Sequence, residues 1–104
     1  MHSDNTLRRK YRAIGHKLQP VVIVKALSDS VLAEIERALN DHELIKLRVL
    51  AEDREEKAAL IDAIGAATGA ELIQVAGHVA LFLRKALKVK PELSNLQRYK
   101  VLMD

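Results

Sequence analysis

The sequence predicts an α/β domain, a mixed four-stranded sheet carrying three helices in the order α-β-α-β-α-β-β. Three observations carry this prediction. Val21-Val22-Ile23-Val24 is a continuous β-branched run, the pattern of a strand buried on both faces. Two segments with helical periodicity follow it, each opening on a side chain suited to N-capping. Two short apolar segments then lie on either side of Ala76-Gly77-His78, the arrangement of a tight hairpin. Strands alternating with helices and closed by a hairpin give a mixed sheet with helices packed on it. A first and second strand that are parallel neighbours would be joined by a right-handed crossover.

The first helix is expected from Thr6 to about Ile14, because Leu7, Tyr11 and Ile14 share a face. Gly15 breaks that pattern, and Gln19-Pro20 directs the chain into the first strand, since the residue before proline is driven toward extended backbone. Ser28 and Asp29 start a helix ending near His42, with Val31, Leu32, Ile35, Ala38 and Leu39 as its buried stripe. Leu44 to Leu50 is the second strand. Strand alternation puts Lys46 and Arg48 on one sheet face, together with Leu44 and Leu50. Asp53 and Glu56 form a capping-box pattern before a helix with Leu60, Ile61, Ile64 and Ala67 inward, and Gly69 suits its left-handed C-terminal cap. Residues 70–75 and 79–84 are the hairpin strands. The domain is expected to span residues 1–86, with residues 87–104 forming a basic, extended C-terminal tail that carries a short turn near its end.

Composition narrows the function classes. With 49% hydrophobic and 30% charged residues the chain has the balance of a soluble globular domain, not of a disordered segment. There is no cysteine, which removes disulfides, thiolate nucleophiles and thiolate metal sites and fits a reducing, cytoplasmic setting. The N-terminus has no apolar stretch of a secretory signal, and no run is long enough to span a bilayer. His2, His16, His42 and His78 have no short metal-ligand spacing, and neither HExxH nor a Walker motif is present. The Asp and Glu clusters fall on helix surfaces, with Glu52, Asp53, Glu55 and Glu56 crowding a helix start where the dipole stabilises them, and no pattern supports a dedicated acid/base pair. The expectation is a non-enzymatic protein with no cofactor, no metal, no small-molecule substrate and no membrane partner; the sequence leaves its oligomeric state open, with a monomer favoured.

The net charge of +3 is unevenly distributed. Residues 1–25 carry +5, residues 84–104 carry +4, and residues 26–83 between them carry −6. Two basic ends could converge into one surface for a polyanion, or remain two solvated ends, and charge alone is compatible with both.

The stretches Gly15-His16-Lys17-Leu18-Gln19-Pro20-Val21-Val22, Val31 to Leu39, and His42-Glu43-Leu44-Ile45-Lys46 resemble the YhbY family, single-domain bacterial members of the chloroplast RNA splicing and ribosome maturation (CRM) superfamily. The resemblance continues through Asp53-Arg54-Glu55, Thr68-Gly69-Ala70 and Gln74-Val75-Ala76-Gly77-His78, and Leu93-Ser94-Asn95-Leu96 is similar to the tail of proteobacterial members. It implies a fold like the C-terminal domain of a translation initiation factor, binding to structured ribosomal RNA, and association with precursors of the large ribosomal subunit. One feature departs from the family. A Gly-x-x-Gly loop is usual after the first strand, whereas Lys25-Ala26-Leu27-Ser28-Asp29 contains no glycine and is about two residues shorter. The loop therefore lacks the glycines that would bring backbone amides close to a phosphate at that position.

The cations that the resemblance and the charge pattern bring forward form three sets. Arg8, Arg9, Lys10, Arg12, His16 and Lys17 belong to the first helix and its exit, with Arg8 and Arg12 expected as an outward basic ridge. Arginine suits phosphate because its planar fork of donors matches the anion's oxygens. Lys25 is placed to deliver charge beside the N-terminus of the second helix, where Ser28 is the expected cap. Lys46, Arg48, Arg84 and Lys85 lie on strands or at their ends, on a face that is either RNA-covered or simply solvated. With only Tyr11, Phe82 and Tyr99 as aromatics, and Phe82 in an apolar strand, base stacking on an aromatic platform is not expected, and recognition would rest on backbone and shape. A second function class stays open on these residues: an adaptor whose acidic helices dock a basic protein.

Overall fold

The computed structural model describes residues 4–104, so His2 lies outside the described residues. Its elements are α1 (Asn5–Gly15), β1 (Pro20–Val24), α2 (Asp29–His42), β2 (Leu44–Val49), α3 (Arg54–Thr68), β3 (Glu71–Ala76), β4 (Val79–Leu83), a one-turn α4 (Asn95–Arg98) and a 3-10 turn (Lys100–Met103). The α/β class and the helix and strand order read from the sequence are those observed. No described helix is long and apolar enough to cross a membrane.

Local chemistry sets the boundaries. Ser28 Oγ accepts from the Val31 N–H at 3.2 Å, and Asp53 Oδ1 accepts from the Glu56 N–H at 2.8 Å, so both expected caps form. Asp4 caps α1 in the same way, accepting from Leu7 N–H at 2.8 Å, which starts that helix one residue earlier than its apolar spacing indicates. Gly69 closes α3 at φ +73°. Gly77 takes φ +58° in the two-residue turn between β3 and β4, where a primed hairpin turn needs a residue without a Cβ.

The strand order is β1-β2-β4-β3. β1 and β2 are parallel and joined through α2, while β4 runs antiparallel between β2 and β3. Each sheet face has its own core. On one side α2 and α3 bury Ile35, Leu39, Ile61 and Ile64 against Val24, Leu47, Val49 and Phe82. On the other, Tyr11 and Ile14 of α1 pack with Leu44, Ile73, Leu81 and Leu83. Burying such side chains contributes about 1.5–3 kcal/mol each, more than any surface ion pair on α1 can add. At Gly15 a Cβ would lie 2.8 Å from Leu81 Cδ2, so the glycine lets the end of α1 approach the sheet closely.

The segment after Ala86, expected to be extended, is a strap. Leu96, Tyr99, Leu102 and Met103 pack onto the α1-side core, and Ser94 and Asn95 are buried. Four consecutive residues at the α2–β2 joint hold it. Asp41 pairs with Lys90, His42 Nδ1 lies 2.8 Å from the Leu93 carbonyl, and the Leu44 carbonyl accepts from Asn95 Nδ2 at 2.7 Å. Between them Glu43, only 3% exposed, accepts from Ser94 Oγ at 2.6 Å and from the Ala86 N–H at 2.8 Å. Glu43 does so from φ +62°, a left-handed conformation that costs a residue with a Cβ about 1–3 kcal/mol.

Replacing Glu43 by Ala keeps the backbone strain and strands the Ser94 and Ala86 donors. It is expected to lower unfolding free energy by about 1–3 kcal/mol and to speed amide exchange in residues 93–103. Glu43→Gly, which relieves the strain, is expected to lose about 1 kcal/mol less by chemical denaturation. The Lys90 ammonium beside Asp41, chiefly through its hydrogen bond, holds the Asp41 carboxyl below its ordinary 3.8; burial opposes this less strongly, and the charge of Lys90 adds a still smaller effect. A depressed carboxylate stabilises above its unfolded pKa and loses that contribution as pH falls through the folded value. Acid denaturation below about pH 4 is therefore expected to be less steep in Asp41→Asn than in the parent.

Candidate functional site

The α1 side of the sheet is only half covered. With the start of β2 at the lower end and the β3–β4 turn at the upper end, α1 and the strap pack on the lower half, around Leu44, Leu81 and Leu83. The upper half stays bare. There β1 presents Val21 and Ile23 at 48% and 59% exposure, with Ile23 beside Arg48 and Arg48 beside Val79 across the ladder. Strand alternation places Lys46 and Arg48 on this face, because Ile45, Leu47 and Val49 are required in the other core.

Two open concavities join the bare half to its surroundings, and Lys46 lines both. One, of about 200 Å³, lies between the end of α1 and the upper sheet, lined by Gly15, His16, Lys46, Gln74, Ala76, Val79 and Leu81. The other, of about 260 Å³, is walled by the α1–β1 turn and the strap; Lys17, Gln19, Val21, Lys46, Arg98 and Tyr99 are among its lining residues. Neither has an acidic lining residue.

The acidic side chains are elsewhere. Of the eleven carboxylates in residues 26–83, nine lie on α2, on α3 or in the turn before α3, across the sheet. The other two, Glu43 and Glu71, are held in hydrogen bonds. The sheet thus separates an acidic helical side from a basic half-covered side.

The expected site residues fall into three groups. His16, Lys17, Lys46 and Arg48 come together on or beside the bare half-sheet. Arg9 and Lys25 are exposed and Arg12 is half-buried; the first and last belong to α1, and Lys25 follows the upper end of β1. The remaining cations have internal partners or lie elsewhere. Arg8, expected to form an outward ridge with Arg12, turns to the β3 edge, pairing with Glu71 at 3.0 Å and donating to the Leu72 and Ile73 carbonyls at 3.1 and 3.2 Å. Lys10 Nζ donates to the Met103 carbonyl at 2.8 Å and fastens the strap to α1. Arg84 ties the other side of the sheet together, pairing with Glu36 at 2.8 Å and donating to the Thr68 carbonyl and Asn40 Oδ1, each at 2.9 Å. Lys85 is exposed two residues past the lower end of β4, and that end itself lies about 13 Å along the ladder from the level of Arg48.

The linker from β1 to α2 closes in Lys25, Ala26, Leu27 and Ser28 without a glycine. Leu27 packs on the α2–α3 core and Ser28 caps α2, so the short loop is tied down at its second half. Phe82 is 1% exposed and Tyr11 3%, which leaves neither ring available to a ligand. Arg98, in the strap, is one of the tail residues, with Lys88, Lys90, Tyr99 and Lys100, that the sequence offers for wrapping RNA, although no helix or strand pattern sets it apart from the others. Its only local signal is its basic neighbourhood.

The CRS1 / YhbY (CRM) domain model matches residues 4–84, which contain all four strands and the three long helices. A probable RNA-binding protein of Pseudomonas aeruginosa is 44% identical over 94 residues, covering 88% of this chain and 90% of that one. An RNA-binding protein of Haemophilus influenzae is 43% identical over 84 residues, covering 79% and 85%. A probable RNA-binding protein of Methanocaldococcus jannaschii is 35% identical over 101 residues, covering 94% and 75%. The solution structure of a hypothetical Staphylococcus aureus protein, proposed to bind RNA, superposes with a TM-score of 0.72 at 25% identity, over 84% of this chain and 93% of that one. Fold and sequence agree, and the chain belongs to the CRS1 / YhbY (CRM) domain family.

Proposed function

We propose that this protein binds structured ribosomal RNA on the half-covered face of its sheet and assists assembly of the large ribosomal subunit. The observation that carries the binding part is the division of charge by the sheet: cations on the bare half-face, carboxylates across from it. Relatives named as RNA-binding proteins support the ligand class, and the family resemblance supports the ribosomal setting. Lys46 and Arg48 are the central contacts, His16 and Lys17 flank them at the end of α1, and Arg9, Arg12 and Lys25 extend the positive field around the rim. Backbone phosphates and groove shape dominate recognition, since Tyr11 and Phe82 are buried and Tyr99 alone of the Tyr and Phe rings lines the open side, too few for a stacking platform. Arg8, Lys10 and Arg84 act as internal struts.

Affinity for a structured fragment of large-subunit ribosomal RNA, titrated at several salt concentrations, is the test. Lys46→Ala and Arg48→Ala are each expected to weaken binding and to reduce the slope of log affinity against log salt by about one. Arg8→Ala is expected to lower unfolding free energy by about 1–3 kcal/mol while leaving that slope unchanged, because it removes three hydrogen bonds to a half-buried carboxylate and two carbonyls. Absence of binding by the parent chain near physiological salt would remove the RNA reading and favour a protein partner for the acidic helices.

A further inference from the structure

We propose that the C-terminal strap is a wall of the RNA site, and that Arg98 on it joins Lys17 and Lys46 to seat one phosphodiester of the bound strand. This rests on the RNA-binding reading above and adds a defined subsite to it. The three cations come from chain segments far apart in sequence: the turn after α1, the middle of β2, and α4. They line one concavity of about 260 Å³ that has no acidic lining residue. Like charges around one hollow repel each other, and an anion placed among them removes that repulsion.

The donors at this hollow differ in how firmly they are held. The Asn95 side-chain amide is fixed by its 2.7 Å bond to the Leu44 carbonyl, which sets the position of α4. Arg98 is exposed, reaches Asn95 Oδ1 through Nη1 at a long 3.4 Å, and stacks loosely over the Tyr99 ring at 5.5 Å. A guanidinium carries five N–H donors, so one long bond leaves most of the fork for a phosphate. The hollow is continuous with the bare half-sheet through Lys46 and Val21. A strand crossing that half-face passes over it, which favours an internal phosphodiester over a free or terminal phosphate.

The test uses the full chain and the same ribosomal RNA fragment. Arg98→Ala is expected to weaken binding and to lower the salt slope by about one, so that its deficit shrinks about threefold between roughly 50 and 200 mM salt. Arg98→Lys is expected to recover most of the slope. Arg37→Ala, an exposed cation of α2 that lines a separate hollow with Glu34 and Asp41, is expected to leave binding at the parent level. Removing terminal phosphates from the RNA is expected to leave the Arg98 dependence intact. If amide spectra show that Arg98→Ala releases Ser94 and Asn95, Arg98→Gln, which keeps the aliphatic stem, carries the comparison. Parent-like slopes in both Arg98→Ala and Arg98→Gln would overturn the subsite while Lys46→Ala still reported on the RNA reading. An Arg98 effect that vanished with the terminal phosphate, or one no larger than that of Arg37→Ala, would also overturn it.

Discussion

Glu43 determines how much of the sheet is covered. It stands where α2 turns into β2, in a backbone conformation usually left to glycine, and its carboxyl group reaches Ser94 and Ala86 some fifty residues later in the chain. With Asp41, His42 and Leu44 it forms a four-residue dock for the strap. The strap then closes the lower half of the α1-side core with Leu96, Tyr99, Leu102 and Met103, and stops there. What remains uncovered is the upper half-sheet. A buried polar group with its partners satisfied can fix a chain's path more sharply than apolar contact alone, because any other path leaves donors unpaired. The edge of the open surface is thus set by a staple on the far side of the strap.

The same structure sorts the cations by task. Seventeen lysines and arginines against fourteen carboxylates suggest a diffuse basic protein, yet several of the cations are internal fasteners. Arg8 ties α1 to the β3 edge, Lys10 ties α1 to the strap, and Arg84 ties β4 to the ends of α2 and α3. Lys17, Lys46, Arg48 and Arg98 remain on the open side. Lys46 and Arg48 lie inside the acidic stretch of sequence, and it is strand alternation that turns them away from the carboxylates around them. A two-residue period therefore converts a locally acidic segment into the centre of a basic face.

Much of this was legible in the residues. The caps at Ser28 and Asp53, the left-handed Gly69, the hairpin at Gly77 and the shared face of Lys46 and Arg48 all follow from local rules, and local geometry obeys them. The strap was not legible, because its apolar residues are few and its anchors are hydrogen bonds to a joint far away in sequence, which leave no periodicity. The direction of Arg8 was hidden for a related reason. Its partners are two carbonyls and a carboxylate at the β3 edge, present only once α1 has docked. Arg84 continues a strand pattern, but its fork is claimed by helix ends that the strand pattern does not show. In each case a long side chain was placed by tertiary contacts, whereas the backbone beneath it was placed by neighbours in sequence.

The roles given to Lys46, Arg48 and Arg98 all require RNA to lie on the bare half of the sheet. The most direct measurement is an amide and side-chain chemical-shift map of the labelled protein titrated with a large-subunit ribosomal RNA hairpin. The largest changes are expected at Ile23, Lys46, Arg48, Val79 and the turn after α1, with the outer surfaces of α2 and α3 quiet. A footprint centred on those two helices, with the β1–β2 half-sheet unmoved, would contradict that placement.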